Sequence, residues 1–193
     1  MENNILIAGV GGQGTILAGK IISSVALMAG YEIKVSEIHG MSQRGGSVVT
    51  QVRFGEQIAS PIITEGSADT IIAFELLEAL RILPELKKGG QMIVNEQIIP
   101  PMPVLTGTAV YPEPEEIKKR ISAHAAKAIL FDALALALTA GAAQAVNLVL
   151  LGCFSRLLPM KENLWHEAIK SLVKPQFVEM NLRAFNLGQK VNS

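Results

Sequence analysis

The stretch ILIAGVGGQGT, residues 5–15, decides the fold. An apolar run, Ile5 to Ala8, breaks into four glycines within six residues (Gly9, Gly11, Gly12 and Gly14), and an apolar-periodic segment then runs from Thr15 to Ala29. Strand, tight turn and helix are written this way, because backbone at positive φ or pressed against a ligand leaves no room for a Cβ. The run is too evenly apolar for a half-exposed sheet and predicts a central parallel strand over Asn4 to Gly9. In the segment that follows, Ile16, Leu17, Ile21, Val25 and Met28 recur near the helical period, and Gly30 supplies the stop.

The rest of the chain continues the alternation of strand and helix. Tyr31 to Ser36 reads as a second strand, and a polar, glycine-rich loop, Glu37 to Gly46, leads into Ser47 to Phe54. There Val48, Thr50, Val52 and Phe54 alternate with Val49, Gln51 and Arg53, the mark of a strand with two unlike faces, and Gly55-Glu56 followed by Gln57 to Ser60 predicts a hairpin return. Thr70 to Phe74 and Gln91 to Asn95 read as buried strands around a helix, Glu75 to Leu83. After Pro100, Pro101 and Pro103, Val104 to Tyr111 is expected as a short edge strand. Pro114 opens a helix to about His124, with Glu115 and Glu116 in its first turn and Lys118, Lys119 and Arg120 later, the order that complements the helix dipole.

Ala128 to Phe131 is the last predicted strand. Ala133 to Ser155 carries no charge, which matches a membrane span in length, but Gly141, Gln144 and Asn147 dilute it. A buried helix over Ala142 to Leu158 is expected instead, followed by amphipathic helices over Glu162 to Val173 and Pro175 to Leu187. The fold class is therefore α/β: a single domain, 1–193, with three α/β/α layers around a mainly parallel sheet, an antiparallel hairpin insertion and a helical C-terminus.

Composition narrows the function. Seventeen basic and seventeen acidic residues balance to zero, and no basic stripe interleaves with aromatics, so nucleic acid is not an expected partner. A single cysteine, Cys153, precludes an internal disulfide, and this chain alone cannot hold an iron–sulfur cluster or a cysteine-based zinc site. Apolar residues make up 49% and charged residues only 18%, below the roughly 25% usual in soluble chains, which predicts a protein partner. No charged n-region precedes a long apolar segment, so a cytoplasmic protein without a membrane anchor is expected.

Two loops carry the candidate chemistry. The peptide N–H groups that open the first helix favour an anion. Gly9, Gly11 and Gly14 match the dinucleotide pattern G-x-G-x-x-G, which also asks for an acidic residue on the second strand, here Glu32 or Glu37. The loop that follows departs from the usual βαβ continuation, so a tight turn without a ligand stands beside the nucleotide reading. In the second loop, Arg44 can clamp a phosphate or carboxylate in bidentate fashion, with Ser42, Gln43 and the glycine amides completing a cradle. No acid or nucleophile is tied by spacing to His39; His124 and His166 are expected at the surface, Cys153 in the core, and Glu75, at the carboxyl end of a buried strand, at a helix start, with a binding residue as the lesser alternative. There is no nucleophile elbow, no phosphate-binding lysine motif and no metal-ligand cluster, so the chain is poorly equipped as a free-standing enzyme.

Together, GVGGQGT, EIHGMSQRGGSV, the strand end RFG, SPIITEGSAD and AFELLEALR resemble the small gamma-type subunit of 2-oxoacid:ferredoxin oxidoreductases. MSQRGGSV with VRFGE and SPII is most similar to the beta subunit of the indolepyruvate form, and the resemblance spans residues 4–187. It implies a multi-subunit enzyme that oxidatively decarboxylates a 2-oxoacid, uses coenzyme A as acyl acceptor and passes electrons to ferredoxin. Thiamine diphosphate and iron–sulfur clusters then belong to a larger partner subunit, and the isolated chain is inactive, with a homodimer left open. The motif positions carried over are Gly9, Gly11, Gly12, Gln13, Gly14 and Thr15, then Met41, Ser42, Gln43, Arg44, Gly45, Gly46 and Ser47. The resemblance implies that they lie at the junction with the large subunit, near the thiamine site or the entry route of coenzyme A. An independent NAD(P)-binding protein and a pure scaffold are the rival readings.

Overall fold

A computed structural model describes residues 2–39 and 46–191. Six strands form one sheet: β1 (Asn3–Val10), β2 (Glu32–His39), β3 (Ser47–Gly55), β4 (Ala68–Ala73), β5 (Leu86–Asn95) and β6 (Lys127–Phe131), in the order β2-β3-β1-β4-β5-β6. β1, β4, β5 and β6 pair in parallel, while β3 runs antiparallel to both its neighbours. The apolar strand at the N-terminus thus takes a central place, as its even hydrophobicity requires.

Helices cover both faces. On one lie α1 (Thr15–Met28), α5 (Ala133–Ala140), α6 (Val146–Ser155), α7 (Glu162–Leu172) and α8 (Val178–Gln189), packed on Ile5, Ile7, Val52, Phe54, Ile72 and Ile93. On the other lie α2 (Leu76–Ile82) and α4 (Pro114–His124), over Leu6, Ile71, Ala73, Met92 and Val94. The period-two alternation along each strand is what feeds these two cores. The three layers and the helical C-terminus are those expected.

Every residue of α6 is buried, and its crossing with α8 is close enough to be backbone on backbone. A Cβ added at Gly152 would lie 2.0 Å from the Phe185 carbonyl oxygen, and one at Gly188 would lie 1.9 Å from that of Val149. Two glycines facing one another let the helix that fills the core come this near its cover.

Four expectations change. The hairpin return over Gln57 to Ser60 is not a strand; β3 pairs instead with β2 and β1. Side chains on the face of β3 turned from α1 hold the segment after it: Arg53 Nη1 donates to the carbonyls of Ser60 and Ile62, and Gln51 Oε1 accepts from Ile63 N at 2.7 Å. Val104 to Tyr111 is not an edge strand, since Pro101 and Pro103 turn the chain into a short helix, α3 (Met102–Leu105), and β6 takes the edge. The buried helix expected over Ala142 to Leu158 is shorter, α6 alone behind a 3₁₀ turn over 143–145, and ahead of Gly141, which adopts φ +127°, the uncharged stretch forms a further helix, α5. β2 runs three residues past Ser36, to His39.

Candidate functional site

The connection after β1 passes to one face of the sheet through α1, and that after β4 passes to the other through α2. Between the carboxyl ends of these two neighbours the chain therefore diverges, which is where open α/β sheets form their ligand crevices. The side chain of Gln13 folds back into this divide. Its Oε1 accepts from Val10 N at 2.7 Å, and its Nε2 donates to the Phe74 carbonyl at 3.1 Å and to Gln97 Oε1 at 3.5 Å. Asn95, fully buried, donates to the same Phe74 carbonyl at 3.1 Å and to Gln97 Oε1 at 3.2 Å, and accepts from Ala133 N at the start of α5.

The glycines of the first loop serve this arrangement. A Cβ at Gly9 would stand 3.0 Å from Gln13 Oε1 and Thr15 Cγ2 and 3.1 Å from Phe74 Cβ, so glycine makes the room for the folded-back glutamine. Gly14, at φ +82°, caps α1 without a side-chain acceptor, and a Cβ there would press within 2.8 Å of Asn147 Nδ2. The first amides of α1 keep the partial positive charge of a helix start, which suits an anion. Beside this helix start, Leu17, Asn147, Lys174 and Phe177 border a cavity of about 630 Å³.

The two glycine loops meet. Gly11 N donates to the Gly46 carbonyl at 3.0 Å, and the hydroxyl of Ser47 donates to Glu78 Oε2. Glu78 is buried and also receives Arg81 Nη1 at 2.5 Å. Gly9, Gly11, Gly12, Gln13, Gly14, Thr15, Gly46 and Ser47 are thus brought to one end of the sheet. Met41, Ser42, Gln43, Arg44 and Gly45 lie outside the described residues.

Sequence reasoning missed Glu78, Asn95, Gln97 and Tyr111, and read Glu75 first as a helix start and second as a binding residue at the end of a buried strand. Glu75 is indeed the N-cap of α2, with Oε2 accepting from Glu78 N at 2.9 Å. Its other oxygen accepts from Ile99 N at 3.0 Å and from the Tyr111 hydroxyl. Burial, and then the hydrogen bond to the Glu75 carboxylate, push the Tyr111 phenol well above its ordinary range. The readable signal was the pair Glu75 and Glu78, three residues apart where a buried strand gives way to a helix.

The dinucleotide reading fails on geometry. β3 lies between β1 and β2, so Glu37 stands opposite Thr50, two strands away from the glycine turn, roughly 10 Å at the usual strand spacing. Glu32 accepts from Ile58 N at 3.1 Å, and that hydrogen bond holds its carboxyl below the ordinary range. Among the described residues no group of three His, Cys, Asp or Glu side chains could hold a metal ion. Cys153 is buried on α6, and burial pushes its thiol up to about 11, so it suits neither a cluster nor nucleophilic work. Nor does any helix of the described residues have the length and apolarity to cross a membrane.

Known proteins share this architecture from end to end. The family model for pyruvate ferredoxin/flavodoxin oxidoreductase matches residues 4–191. Indolepyruvate oxidoreductase subunit IorB of Thermococcus kodakarensis is 45% identical over 192 residues, which cover 98% of this chain and 95% of that one. The gamma subunit of a keto/oxoacid ferredoxin oxidoreductase from Geobacter sulfurreducens superposes with a TM-score of 0.71 at 25% identity, covering 96% and 95% of the two chains. A 2-oxoglutarate:ferredoxin oxidoreductase from Magnetococcus marinus, solved with 2-oxoglutarate, coenzyme A and succinyl-CoA bound, has the same fold within 31% of its chain, with a TM-score of 0.74 at 21% identity and 98% of this chain covered. The chain belongs to the pyruvate ferredoxin/flavodoxin oxidoreductase family, as a small gamma-type subunit of a 2-oxoacid:ferredoxin oxidoreductase.

Proposed function

We propose that the complex containing this subunit oxidatively decarboxylates an arylpyruvate of the indolepyruvate class, in the cytoplasm, forming the acyl-CoA and passing the electrons to ferredoxin. The observation that carries this reading is the 45% identity, along nearly the whole of both chains, to a subunit of an indolepyruvate oxidoreductase. Thiamine diphosphate and the iron–sulfur clusters sit on a larger partner subunit. In support of that division, the one cysteine of this chain is buried in a helix with its thiol neutral. Thiamine diphosphate supplies the carbanion stabilisation such a decarboxylation needs.

The contribution of this chain is to bind and position. The seam between Gly11 and Gly46, with the open amides of α1, forms an anion-favouring edge at the junction with the large subunit, on the side where coenzyme A enters. Arg44 of the second loop contributes a bidentate contact to a phosphate or carboxylate there.

The test is to co-express the chain with its larger partner, purify the complex anaerobically, and follow ferredoxin or viologen reduction with coenzyme A. The substrates compared are indolepyruvate, phenylpyruvate, pyruvate and 2-oxoglutarate. The arylpyruvates should show the highest kcat/KM; a preference for pyruvate or 2-oxoglutarate refutes the substrate assignment. Arg44→Ala in the assembled complex should lower turnover, chiefly through the KM for coenzyme A, and unchanged kinetics would remove Arg44 from the site.

A further inference from the structure

The first turn of α2 is a fixed point of the structure. Each of its first three amides is met: Leu76 N donates to the Gln97 carbonyl at 3.1 Å, Leu77 N to the Tyr111 hydroxyl at 3.1 Å, and Glu78 N to Glu75 Oε2 at 2.9 Å. An acidic side chain at the third helical position commonly turns back to cap the backbone before it. Glu78 turns the other way. Its Oε2 accepts from the hydroxyl of Ser47, which stands opposite Val10 at the start of β3, and its Oε1 accepts from Arg81. Glu78 is only 4% exposed. Burying a carboxylate is costly, and an apolar residue of similar volume often serves stability as well.

What the buried carboxylate holds is the end of the second glycine loop. Ser47 follows Gly46, whose carbonyl accepts from Gly11 N of the first loop at 3.0 Å. The first loop is moored to the same short stretch, because Gln13 Nε2 donates to the Phe74 carbonyl at 3.1 Å. Two segments distant in sequence are thus tied to one junction, residues 74–78, where β4 passes into α2. Arg81, half exposed, pairs with the second oxygen of Glu78 and keeps the first turned to Ser47. A side chain carried on so well-anchored a helix start sets position more sharply than one carried on a loop.

We propose that Glu78 is a positioning residue of the assembled enzyme: acting through the Ser47 hydroxyl, it holds Gly46 against Gly11 and so fixes the anion-favouring edge that the two loops form. Glu78 itself touches no reactant. The proposal rests on the reading given above that coenzyme A meets this edge, and the effect of losing Glu78 accordingly falls on the KM for coenzyme A.

The experiment uses the co-expressed complex, assayed by viologen reduction, as wild type, Glu78→Leu, Glu78→Gln, Ser47→Ala and the double variant Ser47→Ala/Glu78→Leu. Glu78→Leu and Ser47→Ala should each raise the KM for coenzyme A roughly tenfold, the scale of one lost hydrogen bond to a charged group, with kcat held within about twofold. Glu78→Gln keeps an oxygen for the Ser47 hydroxyl and should raise it less. The double variant should be no worse than either single, because both remove the same bond. Additive losses overturn the proposal, and so does a Glu78→Leu complex with every KM at its wild-type value, whatever its Tm. If Glu78→Leu does not fold, Glu78→Gln, Ser47→Ala and their combination close the same cycle. A non-additive shift that falls on the KM for the 2-oxoacid instead supports Glu78 as the positioning residue and removes coenzyme A from this edge.

Discussion

Replacing Gly152 by alanine would set a Cβ 2.0 Å from the Phe185 carbonyl oxygen and 3.0 Å from Gln189 N. The mirror change, Gly188→Ala, would set one 1.9 Å from the Val149 oxygen and 2.8 Å from its carbonyl carbon. Relief requires α6 and α8 to part by about 1 Å, and because α6 is buried on every side that movement opens the core it fills. Overpacking of this kind costs about 1–3 kcal/mol, and here the obstacle is backbone that cannot rotate away, which argues for the upper end. Alanine recovers about 1 kcal/mol of helix propensity. A net loss of about 2 kcal/mol remains, which for a chain of this length lowers Tm by roughly 4–8 °C. Differential scanning calorimetry would measure it, with Asn186→Ala, exposed on the same helix, reporting propensity alone. The double variant should lose less than the sum of the singles, because the first substitution already separates the helices. A Gly152→Ala protein as stable as wild type would refute the backbone-on-backbone account.

Tyr111→Phe removes the donor to Glu75 and the acceptor of Leu77 N, at a cost of about 1–2 kcal/mol. Because the folded phenol pKa is raised, the stabilisation is fully present below the ordinary phenol value of about 10 and is lost as pH climbs through the raised folded value. Tm measured from pH 7 to 11 should accordingly fall more steeply above pH 10 in wild type than in Tyr111→Phe, and parallel curves would sink the assignment. Gln13→Ala strands the Val10 amide and should cost about 1–3 kcal/mol. Gln13→Glu, of the same shape, should cost at least as much, since an acceptor would then face the Phe74 carbonyl and Gln97 Oε1; a better-tolerated glutamate would mean the amide does not donate there.

Local signals were the legible ones. Pro114 at the first helical position, followed by acidic then basic residues, fixed a helix that ends at His124 as read, and the glycine turn after Ile5 to Ala8 placed β1 and α1. Partner choice was not legible. The alternation in Ser47 to Phe54 is the same whether the strand returns through Gln57 to Ser60 or pairs with the strand before it, and only the sheet as a whole selects β2. In Ala133 to Ser155 the interruption at Gly141 was legible, but where the helix after it starts was not, because a helix buried on every side, as α6 is, carries no period to mark its first turn. The glycines of the site and the helix start at Glu75 could be read, but not the long-range bonds of Gln13, Glu75 and Glu78, whose partners at Phe74, Tyr111 and Ser47 lie 61, 36 and 31 residues away.

The reversed strand β3 has a consequence for how this family can vary. Asn3 to Val10 of β1 meets it residue for residue on one side and Glu32 to His39 of β2 on the other, eight registered pairs in each ladder. A single residue inserted within Ser47 to Gly55 would slip both ladders at once, turn Val52 and Phe54 from the α1 core to the opposite face, and carry Gly46 away from Gly11. Length changes are therefore barred from this strand. Any drift in the spacing between the two glycine motifs has to accumulate on the far side of β2, in α1 and the turn that follows it, or in the loop ahead of Gly46.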